Sequence, residues 1–194
     1  MRMGQDKGLV PFLGKPLIER VLGRVAHLGA ETLVTTNNPE PYRFLDLPLF
    51  PDVYPDRGAL GGLYTALSAA RNPHVAIIAC DMPFVNPELL AAELDLLVST
   101  HSDAVIPRTE GGTEPFHAVY QRERCLLAVQ TAIEEDRWRV DAWFSRVNLR
   151  YMLPEEIARY DPHQLAFWNV NTPEELQRAE LLAAEESRSN PRNH

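Results

Sequence analysis

The chain is poor in cysteine and lacks any long hydrophobic run. Its two cysteines, Cys80 and Cys125, fit neither a metal-binding spacing nor the disulfide framework of a small secreted domain. No run of about eighteen apolar residues occurs, so the sequence predicts no membrane-spanning helix. The first residues also lack the basic, apolar and small-residue order of a secretory signal, which favours the cytoplasm.

Lysine is scarce as well, and acidic residues outnumber basic ones. Lys7 and Lys15 are the only lysines among 19 basic residues, and the formal net charge is 19 − 27 = −8. This balance disfavours a nucleic-acid-binding surface, because such surfaces rest on cationic contacts with phosphates. It leaves open an anionic ligand that is held in one local pocket.

Common catalytic motifs are also absent from the sequence. There is no P-loop, no G-x-G-x-x-G and no G-x-S-x-G, and the six histidines show no spacing typical of a metal site. Cys80 lies next to Asp81, whose charge raises the pKa of a thiol, so Cys80 is predicted to be a packed residue and not a nucleophile.

Short apolar strands alternate with amphipathic helices along the chain. Strands are predicted over 31–36, 47–50, 74–79, 103–107, 116–120 and 149–153. Helices are predicted from 16, 63, 87 and 173 onward and over 124–134 and 140–147, with a glycine-rich loop at 56–62. This alternation predicts an α/β protein, with a three-layer Rossmann-like arrangement and a mostly parallel central sheet. One domain is predicted over 1–184, followed by a disordered tail over 185–194.

Two aspartates follow predicted strands at their carboxyl ends, where ligands bind in folds of this class. Asp81 comes directly after the strand 74–79, and one carboxylate in that place suits Mg²⁺, which takes few protein ligands. Asp52 follows the strand 47–50. Each could instead be a turn or cap residue.

Other polar residues are candidates for ligand binding. Lys7 lies in a polar stretch near the amino terminus, and its compact positive charge suits phosphate oxygens, although such lysines are commonly just solvated. Asn169 and Asn171 lie two apart on an extended segment and are predicted to point to the same side. Paired amides can bind the edge of a heterocycle, and they are equally common in turns.

These pieces together resemble the molybdenum cofactor guanylyltransferase family, the MobA-type nucleotidyltransferases. The resemblance is carried in order by RMGQDK at 2–7, LGKPL at 13–17, Asp52, GALGG at 58–62, CDMPF at 80–84 and NVNTPEEL at 169–176. Each element alone is weak, but the ordered set covers nearly the whole chain.

The resemblance implies an activity and a set of site residues. The activity is transfer of GMP from Mg²⁺-bound GTP to molybdopterin, with release of pyrophosphate. Lys7, Asp52 and Asp81 would bind the nucleotide, with Lys7 and Asp81 catalytic and Asp81 holding Mg²⁺, while Asn169 and Asn171 would face the pterin. Transient contacts with other molybdenum cofactor biosynthesis proteins or acceptor molybdoenzymes are implied as well.

The chain departs from the family pattern at its start. Met1 stands just before the arginine of the motif, so the preceding strand and its L-A-G-G-x-S segment are not in this sequence. We therefore expect an unpaired strand edge and a gap in the phosphate-binding loop. Either the start of the chain is misplaced or the chain is a true truncation.

Other interpretations also remain open. A cytidylyltransferase acting on the same pterin is one, although Asp6-Lys7 and NVNTP are more similar to the guanylyl branch. A sugar-phosphate nucleotidyltransferase is another, and a non-catalytic nucleotide-binding remnant is the third.

Overall fold

The computed structural model describes residues 6–189, which form an α/β fold. The strands are β1 (Pro11–Phe12), β2 (Lys15–Pro16), β3 (Val34–Thr35), β4 (Leu49–Phe50), β5 (His74–Ile78), β6 (Ala104–Thr109), β7 (Gly112–Thr113), β8 (His117–Gln121) and β9 (Leu149–Met152). The helices are α1 (Leu17–Val25), α2 (Gly58–Ala69), α3 (Pro87–Thr100), α4 (Arg122–Glu134), α5 (Pro154–Ile157) and α6 (Pro173–Ser189). No helix among these residues has the length and hydropathy that a bilayer crossing requires.

The main sheet has the order β5-β8-β6-β9, with β7 forming a short hairpin on β6. β8 runs antiparallel to both β5 and β6, whereas β6 and β9 are parallel. β5, β6 and β9 therefore share one direction and β8 opposes them. The predicted α/β class with a mostly parallel sheet is confirmed.

Alternating side chains of the central strands build a core on each face of the sheet. Ala104 and Ile106 pack on one face with residues of α2 and α4, and Val105 packs on the other face with residues of α3. This alternation follows from the two-residue period of a strand and produces three layers. α3 begins as the sequence predicts, with the Asn86 side chain accepting from the backbone N–H groups of Glu88 and Leu89.

β3 and β4 form a separate parallel pair, and a groove of about 640 Å³ lies between β3 and β5. At the amino ends of these strands, the Glu31 carboxylate accepts the backbone N–H of Arg71 at 2.6 Å and the Asn72 amide at 3.1 Å. Among residues 6–189, no strand pairs with the edge of β5 that faces this groove.

Parts of the predicted secondary structure are wrong. The segment 140–147 is not a regular helix but a series of tight turns ending in the 3-10 helix Phe144–Arg146, built around the fully buried ring of Trp143. Most of the predicted loop 56–62 belongs to α2. Gly61 allows this helix to pack closely against the preceding segment, because a Cβ there would lie 2.8 Å from the carbonyl oxygen of Tyr54.

The last helix extends beyond the point where the sequence predicts a tail. α6 continues to Ser189, and Glu186 pairs with Arg20 at 2.8 Å and with Arg24 at 3.5 Å on α1. These ion pairs link the end of α6 to α1. Residues 185–189 of the predicted tail are therefore helical, and residues 190–194 lie outside the described residues.

Candidate functional site

Lys7 and Asp81 meet at the carboxyl end of β5. The Lys7 ammonium donates to Asp81 Oδ2 at 2.7 Å; the Asp81 side chain is 11% exposed and that of Lys7 41%. The strand ends at Ile78, so Asp81 follows it at the edge of the sheet where ligands bind in this class of fold. The sequence predicted both residues as site residues without predicting that they touch.

A short capped turn presents Lys7 to Asp81. The 3-10 helix Lys7–Leu9 has Asp6 as its N-cap, and the Asp6 carboxylate accepts the backbone N–H of Gly8 at 3.3 Å. The Tyr42 hydroxyl donates to the same carboxylate. A side chain at position 8 would clash, since a Cβ there would lie 2.6 Å from the Tyr42 hydroxyl oxygen. Residues 2–5 of the predicted motif lie outside the described residues.

Burial and Asp6 together keep Tyr42 protonated. Burial is the larger cause that raises the pKa of Tyr42 far above its ordinary value, and the hydrogen bond to Asp6 adds to it. The hydroxyl is therefore a fixed donor at any physiological pH, and it holds the turn that carries Lys7.

The segment 169–171 lies against Asp81. The backbone N–H of Val170 donates to the Asp81 carbonyl oxygen at 2.9 Å, and the Val170 side chain is fully buried. Asn171 then accepts from the Lys7 ammonium through Oδ1 at 2.6 Å. Asn169 instead donates to the carbonyl oxygen of Phe167 at 3.1 Å. Lys7, Asp81 and Asn171 are thus brought together, whereas the Asn169 amide binds within its own segment.

Asp52 has a different partner, Asn37, which the sequence did not indicate as a site residue. The Asn37 amide donates to Asp52 Oδ2 at 2.8 Å, and Asn37 Oδ1 accepts the backbone N–H of Asp52 at 2.8 Å. Asn37 follows β3, just as Asp52 follows β4. The position of Asn37 after a predicted strand was the one feature of the sequence that could have indicated it as a site residue.

Cys80 lies beside these residues but does not offer a nucleophile. Burial raises the pKa of Cys80 to about 12, and the charges of Asp81 and Asp6 add to that effect. The thiol therefore stays protonated at neutral pH, when only a thiolate would react.

The described residues offer few side chains that could bind a metal ion. Within residues 6–189, no group of three or more histidine, cysteine, aspartate or glutamate side chains could hold a metal by itself. Asp81 supplies one hard oxygen ligand, which fits a Mg²⁺-like ion that obtains its other ligands from water and phosphate. A fixed lysine beside that carboxylate suits a polyphosphate ligand.

Comparisons with known proteins show the family of the chain. Residues 1–147 match the MobA-like NTP transferase domain. The molybdenum cofactor guanylyltransferase of Desulfosudis oleivorans is 30% identical over 177 residues, which cover 91% of this chain and 87% of that protein.

Solved structures show the same fold. The molybdopterin-guanine dinucleotide biosynthesis protein A of Archaeoglobus fulgidus superposes with a TM-score of 0.82 at 27% identity, covering 95% of this chain and 93% of that one. The 2-C-methyl-D-erythritol 4-phosphate cytidylyltransferase of Thermus thermophilus is 17% identical with a TM-score of 0.71, covering 92% of this chain and 94% of that one. The latter similarity shows the fold alone.

Proposed function

Because the chain belongs to the family of MobA-like NTP transferases, and is thus a nucleotidyltransferase, we propose that it transfers GMP from GTP to molybdopterin. A phosphate oxygen of the pterin attacks the α-phosphorus of GTP, and the bond to the β-phosphate oxygen breaks to release pyrophosphate. The observation that carries this proposal is the Lys7–Asp81 pair at the carboxyl end of β5. The names of the relatives in Desulfosudis and Archaeoglobus support the choice of guanine and of molybdopterin.

On the nucleotide side, Lys7 would meet the phosphate oxygens and neutralise charge that develops on them. The nucleophile is already an anion, so the reaction needs positioning and electrostatic stabilisation more than a general base. Asp52, fixed by Asn37, is the second nucleotide contact that we propose. The protonated Cys80 thiol fits a site without covalent catalysis.

Asp81 would hold Mg²⁺ together with the nucleotide phosphates. When bound, the ion supplies positive charge to the phosphate oxygens and orients them. Lys7 pairs with Asp81 Oδ2, so the ammonium and the ion would share this carboxylate.

On the acceptor side, we propose that Asn169 and Asn171 bind the pterin. Each amide group donates one of its two Nδ2 protons to a backbone carbonyl oxygen nearby. The second Nδ2 proton of each would donate to the ring nitrogens or the carbonyl group of the pterin. The segment that carries them is tied to Asp81 by the Val170 backbone bond, so an acceptor bound there would lie close to the nucleotide phosphates.

The experiment is a transfer assay with the purified chain, Mg²⁺, molybdopterin and either GTP or CTP, read out as pyrophosphate and pterin dinucleotide. We expect dinucleotide from GTP. Asp81→Asn should lower turnover by about 100-fold, because it removes a main electrostatic contact, while the exposed Asp95→Asn should not.

Three results would contradict this function. Preferred use of CTP would identify a cytidylyltransferase. GTP binding without any transfer would favour the non-catalytic remnant. Near-native turnover of Asp81→Asn at saturating Mg²⁺ would remove Asp81 from the metal site.

A further inference from the structure

Glu175, in the first turn of α6, makes backbone contacts that extend beyond its own helix. Its Oε2 atom accepts the N–H of Thr172 at 3.0 Å and also the N–H of Asn171 at 2.7 Å. In return, the Thr172 hydroxyl accepts the N–H of Glu175 at 3.1 Å. A capping box normally satisfies the N-cap residue, Thr172 here. The extra bond to Asn171 fixes the residue that precedes the cap.

Asn171 transmits this restraint to Lys7. With its N–H held by Glu175, Asn171 accepts the Lys7 ammonium through Oδ1 at 2.6 Å, and its Nδ2 donates to the Asn169 carbonyl oxygen at 3.2 Å. Asn171 is therefore held by three hydrogen bonds, one from its backbone and two from its side-chain amide. A continuous chain of hydrogen bonds runs from Glu175 through Asn171 and Lys7 to Asp81.

Lys7 needs such a restraint because its side chain is long and its head group is a mobile point charge. The ammonium has three protons, and among residues 6–189 the acceptors Asp81 and Asn171 take two of them, so a phosphate ligand could take the third. Without Asn171, the ammonium would be free to settle on the Asp81 carboxylate alone. That arrangement would leave the cation badly placed for phosphate and the carboxylate badly placed for a metal ion.

We propose that Glu175 is a positioning residue, which acts through Asn171 to hold the Lys7 ammonium in the site. Its importance for turnover rests on the proposed nucleotidyl transfer, but its effect on Lys7 does not. A substitution at Glu175 should therefore change the environment of Lys7 even in the absence of any substrate.

The scarcity of lysine makes this effect directly measurable. In protein labelled with isotope only in its lysines, the side-chain NMR signals arise from Lys7 and Lys15, and exposed Lys15 is an internal reference. We expect Glu175→Ala to shift the Lys7 signal and leave the Lys15 signal in place. Glu174→Ala removes the same charge from the same helical turn, and we expect it to shift neither signal.

Glu175→Gln tests whether geometry or charge is responsible. Both N–H groups donate to one oxygen of Glu175, and an amide oxygen can take its place, so the Gln variant should retain the native Lys7 signal. The Gln variant also keeps the helix cap with Thr172, so the proposal can still be tested if Glu175→Ala fails to fold.

Kinetics separate positioning from general destabilisation. Glu175→Ala should lower kcat about tenfold, on the scale of one lost hydrogen bond, and Glu175→Gln should restore it. In an Asn171→Ala background, Glu175→Ala should cause little further loss, because the two residues act in series.

An unchanged Lys7 signal in Glu175→Ala would overturn the proposal, as would an equal shift in Glu174→Ala or fully additive losses in the double variant. If the Lys7 signal responds as expected but the native chain transfers no nucleotide, the proposed function fails and the positioning role stands.

Discussion

Lys7 is held by two acceptors of different charge, the Asp81 carboxylate at 2.7 Å and the Asn171 amide at 2.6 Å. Both acceptors come from distant parts of the chain, 74 and 164 residues away. A charged hydrogen bond to a half-exposed lysine contributes little to folding. The pair lies at the carboxyl end of β5, where we propose that the nucleotide phosphates bind.

Replacing Lys7 tests that role. Lys7→Ala should raise the Kd for GTP about tenfold or more and leave the Kd for guanosine unchanged. The reason is that the ammonium would contact the phosphate oxygens and not the nucleoside. Calorimetric titration of both ligands gives the answer, with Lys15→Ala as the control. Lys7→Arg should rescue only in part, since its planar group presents its donors differently. Equal losses for GTP and guanosine would instead indicate a folding defect or a contact with the base.

At the scale of elements, α3 packs on β8 through a buried polar pair. Glu93 on α3 and His117 on β8 are both fully buried, with Glu93 Oε1 and His117 Nδ1 3.0 Å apart. The backbone N–H of Asn86 donates to His117 Nε2 at 3.4 Å, so Nδ1 carries the proton that points to Glu93. The other oxygen of Glu93 is buried without a hydrogen-bond partner among the described residues.

This pair makes stability depend on pH. Burial raises the pKa of Glu93 to about 7, against the lowering effect of the His117 hydrogen bond. A carboxyl whose pKa is higher in the folded protein than in the unfolded chain stabilises at low pH and loses that contribution as pH rises toward 7. The loss between about pH 4.5 and 7 is on the order of 3 kcal/mol. Urea unfolding at several pH values should show this decline in the native chain.

In Glu93→Gln, the free energy of unfolding should no longer decline as the pH rises. Glu88→Gln is the control and should keep the decline, because Glu88 is exposed on the same helix. A native-like pH dependence in Glu93→Gln would show that another group is responsible.

The element boundaries show what the sequence could and could not predict. The cap at Asn86 and the capping box at Thr172 were predictable, because each depends on residues within one helical turn. The irregular stretch around Trp143 was not, since tertiary packing of its ring overrides the local helical pattern. The Lys7–Asp81–Asn171 contact was equally out of reach, because its bonds join three separate segments.

At the scale of the whole molecule, the sheet is divided by the groove between β3 and β5. β5 has the continuous apolar sequence of a strand in the middle of a parallel sheet, yet Ala76 at its centre is exposed. The groove also reaches the site, because Asp81 is part of its lining. Tyr42, which follows β3, binds Asp6, and Asp81, which follows β5, binds Lys7. Apolar residues of α1, β3 and β5 line the groove, among them Val21, Val34 and Ile77.

Filling the groove should therefore stabilise the protein. We expect an added peptide of six apolar, β-branched residues to raise the Tm, since strand pairing and apolar burial would stabilise the folded protein. A glycine-serine peptide of the same length is the control. Equal melting temperatures with the two peptides would show that the groove does not accept a strand.

The same open edge has a consequence for behaviour at high concentration. Unpaired strand edges are templates for pairing with other chains, and the net charge of −8 opposes such encounters by mutual repulsion. Salt weakens that repulsion, because the screening length falls to about 10 Å at 0.1 M. Added salt should thus promote aggregation of this acidic protein, the reverse of what is expected when proteins associate through opposite charges.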